Sequence, residues 1–330
     1  MLTRIQLILL SALLLHVPSI GLAVAAAPVL PTEPTDTPFV PKDPPAKKPV
    51  VNAVTSVAYS PDGKSYAVGG ADFRIFVFKA ATGRLVTTLK GHGAPITDLA
   101  YDRTGKVLAS ASRDSTIRLW NPRTGKQLRV LSGHSQAVLS VAFNPNGRRL
   151  ISGGEDSRAL LWNATNGRLI RPIAALGNFV TAVTYSARGK IAAGTADARI
   201  RVGDSDQAKS ARTLRGHRGA VVSLSFSPAG DTLASGSADK TIRLWKAATG
   251  KQRKVLTGSA TKVADVAFTR NGSKLLTGSA DGTVRAWNAN NGSLAKKVSR
   301  PGTAKAKTTI AAVALDPDGG RVVQGGPGAL

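Results

Sequence analysis

From residue 53 onward, apolar and polar residues alternate in short stretches, each closed by turn-forming residues, as in SVAYSPDGKSYAVGG over 56–70 and SLSFSPAGDTLASGS over 223–237. A period of two marks a strand with one buried face, and stretches this short do not support helices. Glycines fall between paired stretches. Gly63, Gly105, Gly147, Gly189, Gly230 and Gly272 close one set of hairpins, and Gly83, Gly125, Gly167, Gly250 and Gly292 a second, at positions where positive φ is needed. The reading is an all-β chain of four short antiparallel strands per unit.

The units repeat. Aligned on the aspartate that precedes an apolar run, Asp72, Asp114, Asp156, Asp197, Asp239 and Asp281 follow one another at steps of 42, 42, 41, 42 and 42 residues. Six residues further on stand Phe78, Trp120, Trp162, Gly203, Trp245 and Trp287. A fixed period of this length marks units that bury their faces only by stacking on neighbours.

Three units carry a full constellation. His92, Ser110, Asp114 and Trp120 form one set, His134, Ser152, Asp156 and Trp162 the next, and His217, Ser235, Asp239 and Trp245 the third, with His-to-Asp and His-to-Trp separations of 22 and 28 in each. With Gly91, Gly133 and Gly216 ahead of the histidines, this pattern resembles the WD-repeat β-propeller family. The resemblance implies a buried hydrogen-bonded chain of the four side chains in each blade. It also implies a ring of four-stranded blades, seven with an incomplete last blade, six being the alternative. In the sequence, TIAAVALDPDGGRVVQGG over 309–326 repeats only the first hairpin, and an edge strand from residues 38–52 is one way to complete it. The sixth unit has Ser259 in place of His, the first has Phe78 in place of Trp, and the fourth has neither His nor Trp, so blade four is expected to be the loosest.

The ends read differently. Residues 1–25 have Arg4, an apolar core over Ile5 to Leu15, a break at Pro18 and Gly21, and Ala23-Val24-Ala25, the order of a cleavable export signal. Residues 26–52 hold prolines 28, 31, 34, 38, 41, 44, 45 and 49 and read as an extended linker, leaving 53–330 as the propeller. The expectation is an exported, periplasmic or secreted protein that is not integral to the membrane once its leader is removed.

Composition then removes chemistry. With no cysteine, disulfides, thiolate metal sites, a Cys nucleophile and lipid attachment through Cys are excluded. Glu33 and Glu155 are the only glutamates, and no phosphate loop, G-x-S-x-G elbow or H-E-x-x-H motif occurs. His92, His134 and His217 are committed to the repeats. Asp98 and Asp265 occupy equivalent innermost-strand positions where other units have Ser56, Ser140 and Ser223, the nearest thing to a cation site. The expectation is no enzyme, no cofactor and no metal.

Lys and Arg number 45 against 19 acids, a net charge of +26, which attracts anionic surroundings. Lys64, Arg84, Lys106, Lys126, Arg148, Arg149, Arg168, Arg188 and Lys251 sit by the glycine turns, on what we call the bottom face. Arg113 and Arg218 sit among the Asp turns and Gly-His loops opposite. Lys126, Arg148, Arg149, Arg168, Arg113 and Arg218 are the candidate partner-binding residues. The partner expected is a protein or an anionic envelope polymer. A nucleic-acid-binding propeller is the alternative, disfavoured by the export signal and the few aromatics, and an exported enzyme with a channel-mouth site is the other.

Overall fold

The computed structural model describes residues 53–298, apart from 206 and 282, together with 312–315 and 322–325. The export signal, the linker and the strand proposed from 38–52 lie outside the described residues.

Each unit folds as a meander. Blade one is β1 (Val54–Tyr59), β2 (Ser65–Gly70), β3 (Ile75–Lys79) and β4 (Leu85–Leu89); blade two is β5 (Ile96–Tyr101), β6 (Leu108–Ser112), β7 (Thr116–Trp120) and β8 (Gln127–Ser132). Blade three is β9 (Val138–Phe143), β10 (Arg149–Gly154), β11 (Arg158–Asn163) and β12 (Leu169–Ala175); blade four is β13 (Val180–Tyr185), β14 (Lys190–Thr195), β15 (Ile200–Asp204) and β16 (Gln207–Leu214). Blade five is β17 (Val221–Phe226), β18 (Thr232–Ser237), β19 (Ile242–Lys246) and β20 (Gln252–Leu256); blade six is β21 (Val263–Phe268), β22 (Lys274–Ser279), β23 (Val284–Asn288) and β24 (Leu294–Val298). Every blade is an antiparallel sheet in chain order. No helix among the described residues is long and apolar enough to cross a membrane.

Among the described residues the ring therefore has six complete blades. A two-stranded sheet, β25 (Ala312–Leu315) and β26 (Val322–Gly325), fills the remaining gap, with β25 lying against both β21 and β1. Ala314 lies there in one buried cluster with Val54, Val57 and Phe76 of blade one.

Turn chemistry explains the hairpins. The first set of glycines has φ between 68° and 76°, and at Gly63 the N–H returns to the Ser60 carbonyl at 2.9 Å. At the opposite end the residue after the aspartate of each of the first five units is also left-handed, although it is not glycine: Phe73, Ser115, Ser157, Ala198 and Lys240 have φ of 62–70°. In blade two the Asp114 carboxylate holds this turn, accepting the Thr116 N–H at 2.9 Å and its hydroxyl at 2.6 Å.

Packing between blades is apolar. Trp120 lies in one cluster with Ile75, Val77 and Leu89 of the preceding blade, and Trp162 lies likewise with Ile117 and Leu119. Each indole is thus a wedge between blades as well as a member of its own.

Candidate binding surfaces

The repeated side chains come together within the blades. In blade two, the Trp120 Nε1–H donates to Ser110 Oγ at 2.8 Å, the Ser110 hydroxyl donates to His92 Nε2 at 2.7 Å, and His92 Nδ1–H donates to Asp114 at 2.7 Å. Blade three repeats this with Trp162–Ser152 at 2.8 Å, Ser152–His134 at 2.7 Å and His134–Asp156 at 2.9 Å. Blade five does so with Trp245, Ser235, His217 and Asp239, each contact at 2.8 Å. With Nε2 accepting and Nδ1 donating, each imidazole is neutral. Burial lowers the three histidines below the usual imidazole value, against the pull of their aspartates. Burial works to raise Asp114, but hydrogen bonds from Thr116, His92 and Gly93 outweigh it and hold the carboxyl at about 2. Each polar group of the tetrad is thus held by its neighbours within the blade. Gly91 leaves room for the arrangement, since a Cβ there would come within 2.7 Å of Arg118 and 3.2 Å of Trp120.

Departures are compensated. By the repeat register, blade four puts Leu176, Ala193 and Gly203 where blade two has His92, Ser110 and Trp120, so all three neutral polar members are absent together. Leu176 packs against the buried cluster that holds Val183, Ile191 and Ala193, and the blade keeps its four strands. In blade six Trp287 donates to Thr277 at 3.0 Å, while Arg285, only 4% exposed, donates to Ser279 at 3.1 Å and sits 3.6 Å from Asp281. Its counterparts Arg118 and Arg201 reach instead toward Gln127 and Thr213 on the neighbouring strand. In blade one Arg74 pairs with the repeated aspartate instead, with Nη2 2.6 Å from Asp72.

Asp98 is a staple rather than a vacant ligand. Its Oδ1 accepts from Ser56 Oγ at 3.3 Å and the Leu99 N–H at 2.8 Å, and its Oδ2 accepts from Ser140 Oγ and the Val141 N–H, both at 2.9 Å. Four donors fill a carboxylate's acceptor positions. The bonds tie blade two to blades one and three, and Ser223 with Asp265 joins blades five and six at 2.6 Å. Burial pushes Asp98 up to about 6, opposed by the bonds from Val141, Ser140 and Leu99, and the Asp265 charge adds to the rise. Among the described residues no three His, Asp or Glu side chains converge as a metal site.

The cations divide by what they hold. Arg129 donates to the Thr165 carbonyl at 3.4 Å, Arg171 to Ser205 at 2.7 Å, Arg212 to Ala248, and Lys254 to Asn291 at 2.5 Å. Each reaches from the outermost strand of one blade to the last turn of the next. These clasps recur at steps of 42, 41 and 42, so the repeat applied to basic residues would have found them. On the bottom of blades two and three, Arg103, Lys106, Arg123, Lys126, Arg148 and Arg168 are exposed, and none has a side-chain partner among the described residues. Asp102 lies beneath them but is buried, turned to Thr104 and the Val107 N–H. Gly147 packs on Asp102, so the turns of the two blades adjoin. Arg149 differs from its neighbours in being half-buried and engaged. On the opposite face Arg113 pairs with Glu155 at 3.3 Å, and Arg218 is exposed.

Four-stranded meanders arranged in a ring, with their inner strands stapled to one another, define a repeat β-propeller. The family model for the WD domain, G-beta repeat, matches residues 50–79, 83–121, 125–163, 208–246 and 250–288, more than half of the chain, which therefore belongs to the WD40 family. WD-repeat propellers commonly serve as protein-interaction scaffolds. The interval 164–207 without a match includes blade four's Leu176, Ala193 and Gly203. Comparison with curated proteins gives no match.

Proposed function

We propose that this propeller is a non-catalytic interaction scaffold, exported by the leader over residues 1–25, that docks an anionic partner in the cell envelope through its bottom face. The observation that carries the reading is the patch of Arg103, Lys106, Arg123, Lys126, Arg148 and Arg168, exposed cations with no side-chain partner among the described residues, set by the buried Asp102. Exposed cations attract over only about 8–10 Å at ordinary ionic strength, so binding should weaken as salt rises. The tetrad histidines and Asp98 are consumed by structure, which favours binding over turnover.

The test is capture of envelope components by the full chain at low and moderate salt, beside a Lys126→Glu, Arg148→Glu, Arg168→Glu variant. A partner retained at low salt and lost by the variant is expected. Equal capture by both proteins, or capture indifferent to salt, refutes the assignment to this face.

A further inference from the structure

We propose that β4, the outer edge of blade one, is a docking edge that takes an extended strand from an acidic partner segment. Outermost strands expose unpaired backbone donors and acceptors, and proteins blunt such edges with charge or proline. Five of the six do so here: Arg129 in β8, Arg171 and Pro172 in β12, Arg212 in β16, Arg253 and Lys254 in β20, and Lys296 in β24. The β4 sequence LVTTL has neither.

The register sharpens the contrast. Thr87 stands where Arg129, Arg171, Arg212 and Lys254 throw their clasps to the next blade, so blade one's edge has no long side chain spanning outward from it. Thr88 pairs with Phe76 at the same register where blade three pairs Pro172 with Leu160. Leu85 and Val86 are 38% and 39% exposed, and among the described residues no strand pairs outside β4. A bulge between the pairs at Val77 and Phe78 twists the start of the strand, as a similar bulge does in the other blades, and so does not set this edge apart.

Charge selects the occupant. Exposed Arg84 and Lys90 bracket the strand, so a second copy paired antiparallel would set Arg84 against Lys90 of its partner across an edge only five residues long. Like charges directly opposed are destabilising, and an edge this small falls well short of the ~1,200 Å² of a stable dimer. The chain's own residues 28–49 have no run of five without proline and cannot supply a continuous ladder. An extended segment with alternating apolar residues and acids at both ends meets the edge with backbone hydrogen bonds and the brackets with opposite charge.

The probe is a fluorescein-labelled peptide, Asp-Glu-Val-Thr-Val-Thr-Val-Glu-Asp, titrated with the full chain by anisotropy. Its controls are the same peptide with proline for the central valine and one with lysines for the acids. The acidic peptide is expected to bind at least about tenfold more tightly than either control. Thr88→Pro, set where blade three carries Pro172 beside a bulge that β4 lacks, should weaken binding by a similar factor without altering charge, in protein that thermal unfolding shows to be folded. Equal binding of the two acidic peptides means attraction by charge alone and overturns the proposal, as does undiminished binding by folded Thr88→Pro or no binding of the acidic peptide at all. The bottom-face reading is tested by other residues and stands or falls separately.

Discussion

Replacing Ser110 by alanine should cost far more than its size suggests. The hydroxyl is the hub of the blade-two chain, accepting from Trp120 at 2.8 Å and donating to His92 at 2.7 Å, both at buried side chains. Removing it leaves an indole N–H and an imidazole nitrogen unpaired out of reach of water, at about 1–3 kcal/mol each, so we expect a loss of about 2–5 kcal/mol. Blade six provides the calibration. There Thr277 serves only Trp287, at 3.0 Å, and Thr277→Val, which keeps the shape, orphans one group and should cost about 1–3 kcal/mol. Urea unfolding followed by indole fluorescence suits the comparison, because the chain's four tryptophans all sit in tetrads or their remnants. The decisive variant is His92→Leu combined with Ser110→Ala, which moves blade two toward blade four's apolar solution. Its cost should fall below the sum of the single losses by about 1–2 kcal/mol, since paired removal leaves fewer orphans. Strict additivity, or Ser110→Ala no worse than Thr277→Val, would refute the view of the tetrad as one cooperative unit.

Acid should unfold the ring in stages. The depressed His92, His134 and His217 contribute stability that is complete above about pH 6.5 and lost as the pH falls below it, while Asp114 and Asp239, held at about 2, lose theirs between about pH 3.8 and 2; a urea midpoint that is level from pH 7 to 5 contradicts this. Asp98 acts in the opposite sense, because a carboxyl raised to about 6 favours the fold at low pH and loses that contribution as the pH rises through 6. Asp98→Asn should therefore steepen the acid decline between about pH 6 and 3.8, and an unchanged slope in the same titration counts against the buried-carboxyl argument. Lys240 is exposed at φ 70°, where the sixth unit has Gly282, so Lys240→Gly should stabilise by about 0.5–1 kcal/mol in thermal unfolding, and a loss would show that the side chain makes contacts that outweigh its backbone strain.

The period, the hairpin glycines and the Asp-to-Trp spacing made the blades legible in the sequence, because each is a local requirement repeated at fixed distance. The number of complete blades was less legible. The first hairpin recurs near residue 312, and whether the sheet it forms extends further depends on pairing rather than on pattern. In spacing Arg285 matches Arg118 and Arg201, each two residues before the Trp position or its Gly203 equivalent. Its inward turn depends on the room left when Ser259 stands for histidine, a fact about volume that no spacing records. The bottom-face candidates also needed coordinates to separate them, since Arg148 and Arg149 are adjacent in sequence and only Arg148 is exposed without a side-chain partner.

Blade four has a consequence for how such a ring can change over generations. From a complete tetrad, each single exchange toward Leu176, Ala193 and Gly203 leaves a buried group stranded, yet the finished set leaves none of the three. The two states are separated by a valley, and a duplicated unit crosses it most safely while its neighbours still hold the ring closed. Redundancy among blades thus gives the chain a place to try out substitutions that a solitary domain would have to reject at the first step.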